Sequence, residues 1–486
     1  MTKPTDNNIL AGSVTLPSYD PKTFTALTFH DRPRAFVAGE DSPRDYLERC
    51  IETIEAREPT VKAWVSVNYE GARAAADAST RRYREGRPLS SIDGMPIGIK
   101  DLFNTRDMPT KMGSPLYEHN FPKQDSASIQ ALRAAGALIL GKTVTTELGM
   151  SHAGPTTNPF SEIHSPGGSS SGSAAAVGAR MVPVTLGSQV VGSCIRPAGF
   201  CGNYALKPTL GAIHRGERLA FSQSHIGVHA GSLLDMWNVA YEIARRAGGD
   251  PGYFGLTGPA VLHAPLRPHR LVVVEAEGWQ HTSERIRAAF EGLLDMLRDA
   301  GVEIVTRRDN PVVEAFEQAI GDSLALCRDI CAYELRWTLD NLLAEHGGGL
   351  SESLMTRHRL SQQMTIDQYR EVITRRETAR RSLRAVASAG DAMICLSSVE
   401  TAPLLDNKGM DSGVEHRTGL PAFNAWTSIT GAPAITLPFL ALDGLPLGVQ
   451  VVGQQHGDHH LTGIAEWMRA LVLGAMTDAK AMEMAG

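Results

Sequence analysis

Residues Ser165 to Thr209 read SPGGSSSGSAAAVGARMVPVTLGSQVVGSCIRPAGFCGNYALKPT. Glycines and serines open the stretch. An alanine-rich segment and an apolar, strand-like segment follow. The chain then enters a second turn of small residues that contains Ser193, and it closes on Lys207-Pro208. Two serine-bearing turns joined by regular structure suggest two hydroxyls brought together by the fold. A serine hydroxyl is a weak nucleophile until a base takes its proton. The candidate base lies upstream, at Lys100, where the short apolar strand Met95–Ile99 ends.

Outward from this stretch the pattern alternates. Ser42-Pro43 gives a helix start, and Tyr46, Leu47, Cys50, Ile51 and Ile54 share one helical face. Val61, Ala63, Val65 and Val67 alternate as in a strand. Asp125 to Ala135 reads as a helix closed by Gly136, and Ala137–Leu140 as a buried strand. Further strands fall at Leu271–Val274, Val302–Val305, Ala392–Leu396, Ala434–Leu437 and Leu447–Val452, with a helical stripe from Ile286 to Leu297 and a helix near Leu461–Leu471. Residues 313–388 are mainly helical and charged, broken at Gly347-Gly348-Gly349. Such alternation predicts an α/β/α architecture, a central mixed sheet covered by helices on both faces. With no repeat or low-complexity linker, the expectation is an N-terminal arm over 1–40 and one domain over 41–486, in which 313–388 form a helical cover over the pocket.

Composition bounds the function. The 486 residues are 42% hydrophobic and 21% charged, as in an ordinary protein with a large core. A net charge of −6 argues against a nucleic-acid groove and against a polybasic membrane surface. No apolar run reaches transmembrane length, and no secretory signal is evident. Six cysteines in a chain this long do not make a disulfide framework, so the cytoplasm is the expected compartment.

Three motif matches lead elsewhere when weighed physically. Gly136–Thr143 fits the phosphate-loop pattern G-x-x-x-x-G-K-T, but its middle residues form a buried strand where an exposed loop is required. Gly168-Ser169-Ser170-Ser171-Gly172 fits the G-x-S-x-G elbow around Ser170, yet the residues before it are a loop where the elbow needs a strand. His346-Gly347-Gly348-Gly349, similar to the oxyanion segment of such hydrolases, lies downstream and reads as a helix end. His456, His459 and His460 stand in a polar turn without zinc-site spacing. Neither metal nor cofactor is expected.

Taken in order, the motifs are Gly94-Met-Pro-Ile-Gly-Ile-Lys100-Asp101, Gly167-Gly-Ser169-Ser-Ser-Gly-Ser173, Gly187-Ser-Gln-Val-Val-Gly-Ser193, Cys201-Gly202 and Leu206-Lys-Pro-Thr209. Downstream come Gly431-Ala-Pro-Ala-Ile-Thr-Leu-Pro438 and Gly444-Leu-Pro-Leu-Gly-Val-Gln450. This set resembles the amidase signature family, serine hydrolases with a Ser-cisSer-Lys triad, and the resemblance runs from about Ser42 to Leu461. It implies Lys100 as base, Ser169 as bridging serine after a cis peptide bond, and Ser193 as nucleophile. It further implies an oxyanion hole from the backbone N–H groups of Val190, Val191, Gly192 and Ser193. The implied activity is hydrolysis of small-molecule amides, with carbamates, aryl amides and esters left open. The alternatives are a glutamine-hydrolysing amidotransferase A-type subunit, which needs partner subunits, and an α/β-hydrolase-type esterase using Ser170. The expected partner is the amide substrate, with no nucleic acid or membrane, and with a homodimer left open.

The chain departs from the family pattern at the second turn. The commonest form is D-T-G-G-S with arginine two residues after the serine; here it is Gln189-Val190-Val191-Gly192-Ser193, with Arg196 three residues after. Val191 in place of glycine is expected to narrow or reshape the mouth of the hole. Gln189 replaces an acid that helps order the turn. Met112, Tyr117, Met150 and His152 are the candidate substrate-binding residues. Ser170 and Ser173 are read as hydrogen-bonding the turn, Asp101 as fixing the backbone or an ion pair, and Lys207 as structural.

Overall fold

The computed structural model describes residues 18–216, 221–407, 409–411 and 414–474. Its strands are β1 (Trp64–Val67), β2 (Pro96–Lys100), β3 (Leu138–Thr143), β4 (Val184–Gln189), β5 (Tyr204–Lys207), β6 (His225–Ala230), β7 (Arg270–Val273), β8 (Glu303–Val305), β9 (Ala392–Leu396), β10 (Met410–Asp411), β11 (Val414–Glu415), β12 (Ala434–Leu442) and β13 (Leu445–Val452). Eleven of them form one sheet in the order β1-β3-β2-β4-β6-β5-β12-β13-β9-β7-β8, while β10 and β11 pair as a separate hairpin. β2 runs parallel to β3 and β4, and β7 runs parallel to β8 and β9. The remaining neighbours are antiparallel. The sheet is therefore mixed, as the alternation predicted.

Every residue of β2, β3 and β4 is buried, because helices cover both faces of the sheet there. This settles the Gly136–Thr143 match: residues 138–143 are strand β3, and Lys142 is buried against Asp101. The first long helix, Pro43–Val61, is capped by Ser42 and buries Tyr46, Leu47, Cys50, Ile51 and Ile54, the face the spacing predicted. The strand expected from Val61 begins three residues later. Val61 ends the helix and Lys62 closes it in the left-handed region (φ 54°), while the Glu58 carboxylate accepts the amides of Ala63 and Trp64.

Residues 1–17 of the expected arm lie outside the described residues. Beyond them Tyr19, Phe29 and Phe36 are buried; Tyr19 donates its hydroxyl to Pro438 O, and the Phe29 amide donates to Asp235. The segment 313–388 folds into four helices, Pro311–Ile320, Ser323–His346, Glu352–Gln363 and Ile366–Val386, with Gly347 closing the second at φ 69°. The Ser323–His346 helix sends Cys331, Leu335, Leu339 and Leu342 into a buried cluster with Met112, Leu148 and Val190. One turn back, its Leu326, Cys327 and Ile330 pack with Ala425 and Ile429. No helix among the described residues is long and apolar enough to cross a membrane.

Candidate active site

Because β2, β3 and β4 are parallel neighbours, their carboxyl ends meet on one edge of the sheet, where α/β folds place ligands. Lys100 is the last residue of β2, and the turn Val190–Ser193 leaves the end of β4. The loop Ser165–Ser170 leads into the helix Ser171–Gly178, which lies against this part of the sheet. Gly172 permits that approach: a Cβ there would stand 2.1 Å from Ala63 O and 2.4 Å from Val144 N. The Gly168–Ser169 peptide is cis. Backbone bonds fasten the loop to its neighbours, from Thr146 N to Ser169 O at 3.2 Å and from Ser170 N to Ser193 O at 3.4 Å. Arg196 adds a third tie, donating Nη2 to Gly168 O at 2.8 Å.

The Lys100 amine is fully buried and surrounded by hydroxyls. It lies 2.7 Å from Ser169 Oγ, 2.9 Å from Ser188 Oγ and 3.0 Å from Ser170 Oγ, with Ser188 O at 3.4 Å. All four are neutral oxygens. The nearest carboxylate in sequence, Asp101, points to the opposite side of the chain, as successive strand residues do. There Lys142 holds it at 2.8 Å, and the Lys111 amide donates to its other oxygen. Asp101 thus fixes both an ion pair and the backbone, and Lys100 is left buried without a counter-charge among the described residues. Burial lowers its pKa from 10.5 to about 7. At neutral pH a large fraction is then the free amine, which can accept a proton.

Ser193 lies at the surface end of this arrangement, 9% exposed against 2% for Ser169. Among the described residues its hydroxyl makes no hydrogen bond, and the contact with Ser169 that a relay needs is of the kind that often tightens only with substrate. The amides of Val190, Val191, Gly192 and Ser193 also find no protein acceptor among the described residues. The next two amides, of Cys194 and Ile195, are both accepted by Gln189 Oε1, at 3.0 and 3.2 Å. The glutamine thereby orders the turn as an acid could, since its carbonyl has two lone pairs. Val191 is half-buried and packs toward the Ser323–His346 helix.

The other expected residues divide. Met112 is buried and Tyr117 and Met150 are half-buried in the apolar cluster that includes Val190; Met150 also lines a cavity of about 50 Å³ beside Ser188. His152 is exposed, on a loop where its carbonyl accepts the Glu147 amide. Ser170 bonds Lys100 and the Ser188 carbonyl, and Ser173 donates to Leu186 O. Ser170 is reached from a loop and precedes a helix, without the strand an elbow requires. Lys207 is buried and donates to Pro208 O and Ala432 O. Cys194 is buried, its thiol pushed up to about 12, and burial pushes His229 down to about 3, so neither offers a thiolate or an imidazolium at neutral pH. No group of three or more His, Cys, Asp or Glu among the described residues could hold a metal ion. Sequence reasoning passed over Ser188, Gln223 and Ser428. Ser188 stands inside the decisive stretch, beside Gln189 at a strand end. Gln223 and Ser428 reach the turn from far along the chain, with no local signal.

Comparison with known proteins places the chain in a family. The family model described as Amidase matches residues 45–462. The A-type subunit of the glutamyl-tRNA(Gln) amidotransferase from Chloroflexus aggregans is 29% identical over 466 residues, covering 90% of this chain and 95% of that protein. Among solved structures, an amidase superposes with a TM-score of 0.80 at 26% identity, covering 92% of this chain and all of the other. The peptide amidase of Stenotrophomonas maltophilia gives 0.76 at 25% identity, covering 93% and 98%. With its family match spanning most of the length and its fold shared with these enzymes, the chain belongs to the amidase family, that of the amidase signature enzymes.

Proposed function

We propose that the chain hydrolyses the C–N bond of small-molecule amides through an acyl-enzyme on Ser193. The observation that carries this reading is Lys100, 2.7 Å from Ser169 Oγ and, among the described residues, buried without an anion beside a turn whose amides have no protein acceptor. The neutral Lys100 amine takes the Ser169 proton while Ser169 takes that of Ser193. The Ser193 oxygen then bonds the amide carbon. The carbonyl oxygen becomes an oxyanion, met by the N–H groups of the 190–193 turn. Collapse breaks the C–N bond, and the proton returns through Ser169 to the leaving nitrogen. Water repeats the sequence against the ester and releases the acid. Six free, buried cysteines accord with a cytoplasmic setting.

A fluorophosphonate probe followed by peptide mapping tests the assignment. Label on Ser193, abolished by Ser193→Ala, supports it. Label on Ser170 overturns it and favours the esterase reading. A second reading, the glutamine-hydrolysing A-type subunit, draws support from the Chloroflexus relative. Turnover of 4-nitroacetanilide by the chain alone favours the stand-alone amidase. Glutamine hydrolysis that appears only with partner subunits favours the other.

A further inference from the structure

Three consecutive carbonyls in the Ser193 turn are each held by a different donor. Val190 O accepts Gln223 Nε2 at 3.1 Å, Val191 O accepts Ser428 Oγ at 2.9 Å, and Gly192 O accepts the Arg196 amide at 3.1 Å. In a trans peptide the C=O and the following N–H point in opposite directions within one plane. Fixing each carbonyl therefore aims the N–H of Val191, Gly192 and Ser193 away from these donors, and none of those N–H groups has a protein acceptor among the described residues. The Arg196 bond is the ordinary start of the helix Ile195–Phe200. The other two are side-chain bonds from residues distant in sequence.

Each of these side chains is itself held. Gln189 Nε2 donates to Ser428 Oγ at 3.1 Å, which occupies a lone pair there and leaves the Ser428 proton for Val191 O. Gln223 is buried in the short segment 221–224. Its neighbour Ser222 is bonded by amide and hydroxyl to the Glu334 carboxylate, and Arg376 Nη1 donates to Ser222 Oγ at 2.5 Å. Tyr369 donates to the same carboxylate at 2.7 Å. Glu334 belongs to the Ser323–His346 helix, and Tyr369 and Arg376 to the Ile366–Val386 helix. The helical cover is thus tied to the backbone of the turn through Gln223.

The geometry points to Gln223 and Ser428 as positioning residues that preset the oxyanion amides of Val191 and Gly192. Neither needs to touch the substrate. Each acts by holding one peptide plane where a developing negative charge will meet its N–H. Preset donors avoid reorganisation during reaction, which is where such sites gain their effect. This inference rests on the acyl-enzyme reading above.

The test uses the rate at which an alkyl fluorophosphonate labels Ser193. In that reaction the Ser193 Oγ–P bond forms, the P–F bond breaks, and fluoride leaves while the hydroxyl proton passes through Ser169 to Lys100. The phosphoryl oxygen gains charge in the hole, so no natural substrate is required. Gln223→Met and Ser428→Ala keep the approximate shape and remove the donor. Each is expected to slow labelling and to lower kcat on 4-nitroacetanilide by roughly ten- to a hundredfold, less than the loss of a hole donor itself. KM and the midpoint of the pH profile should stay within about twofold and 0.3 pH units of the parent. Ser428→Thr, which restores the hydroxyl, should recover most of the rate. Parent-like labelling in both donor-free variants overturns the inference, as does loss confined to KM, a shifted pH midpoint, or failure of Ser428→Thr to recover the rate in a folded protein. Ser193→Ala is run alongside: if it still hydrolyses the amide, the acyl-enzyme reading has failed, whatever Gln223 and Ser428 do.

Discussion

A lysine enclosed by serine hydroxyls, with its adjacent aspartate committed to a different lysine, is an unusual use of a charged side chain. Its consequence is a pH dependence of definite sign. In the proposed mechanism Lys100 must be unprotonated to act, so kcat/KM for an amide should rise with pH through a midpoint near 7 and then level off. Lys100→Met should remove that limb and lower amide turnover by about 10²–10⁴-fold, with a smaller loss on an ester, whose leaving group needs a proton less. Stability should move with pH as well. Lys100 and Lys207 both fall from 10.5 to about 7 on burial. Between about pH 7 and 10.5 the unfolded chain therefore binds more protons than the native one, and stability climbs across that window as pH rises. Each lysine contributes a slope of up to about 1.4 kcal/mol per pH unit. Denaturant unfolding from pH 7 to 10 should show the Lys100→Met slope reduced by one lysine's share, and an unchanged slope would mean that Lys100 keeps its proton. Gln189 makes a sharper structural demand. Gln189→Leu leaves the buried amides of Cys194 and Ile195 unaccepted, at about 1–3 kcal/mol each, and frees Ser428 from its anchor. Gln189→Glu keeps the acceptor and should be the milder change, provided its carboxylate tolerates burial. Urea unfolding of the two variants compares them.

Among the elements, the Ser323–His346 helix packs closest on the turn from the helical segment. Leu335 and Leu339 are buried with Met112, Leu148 and Val190, so the helix forms the apolar backing of the turn. Leu339→Ala should cost about 2–5 kcal/mol and open space beside Met112 and Val190. If that space communicates with the substrate, kcat/KM should shift toward bulkier acyl groups in a series of anilides, while the fluorophosphonate labelling rate changes little. A uniform loss across the series would place the pocket elsewhere. Strand ends and glycine–serine turns are local signals, which is why Lys100, Ser169 and Ser193 could be named from spacing and resemblance, and why the helical breaks at Gly136 and Gly347 could be read directly. β6 escaped notice because His225 and His229 interrupt its apolar pattern, although all six of its residues are buried. β5 ends in a buried lysine that donates to backbone carbonyls, acceptors that only the fold brings within reach. Ser188 carries no signal of its own in Gly187-Ser-Gln, where Gln189 marks the departure from the family pattern. Gln223 and Ser428 act across 33 and 237 residues of chain, a separation that no period or motif can encode.

At the scale of the molecule, the order of strands explains why the two sides of the sheet hold together. β1 to β6 occupy one side of the sheet, and β7, β8 and β9 occupy the other. Between them lies the late hairpin β12–β13, with β12 paired to β5 and β13 paired to β9. The hairpin therefore joins two halves that otherwise share no sheet contact among the described residues. Gln450 of β13 reinforces the junction by donating to Leu396 O and Phe423 O, at 3.0 and 2.7 Å. Apolar packing is continuous across it, since Leu206, Ile435, Val449 and Ile394 belong to one buried cluster. Neither half can complete its core before the hairpin arrives, so the described residues are expected to unfold together. Differential scanning calorimetry of the full chain should give a single transition, with a calorimetric enthalpy close to the van't Hoff value. A substitution at the junction, such as Ile435→Ala, should lower that transition as one peak and lose fluorophosphonate labelling at the same temperature as the enthalpy change. Splitting into two peaks, with labelling tracking only one, would show that the β7–β9 half folds as a separate unit, against the single domain expected from a sequence with no repeat or low-complexity linker.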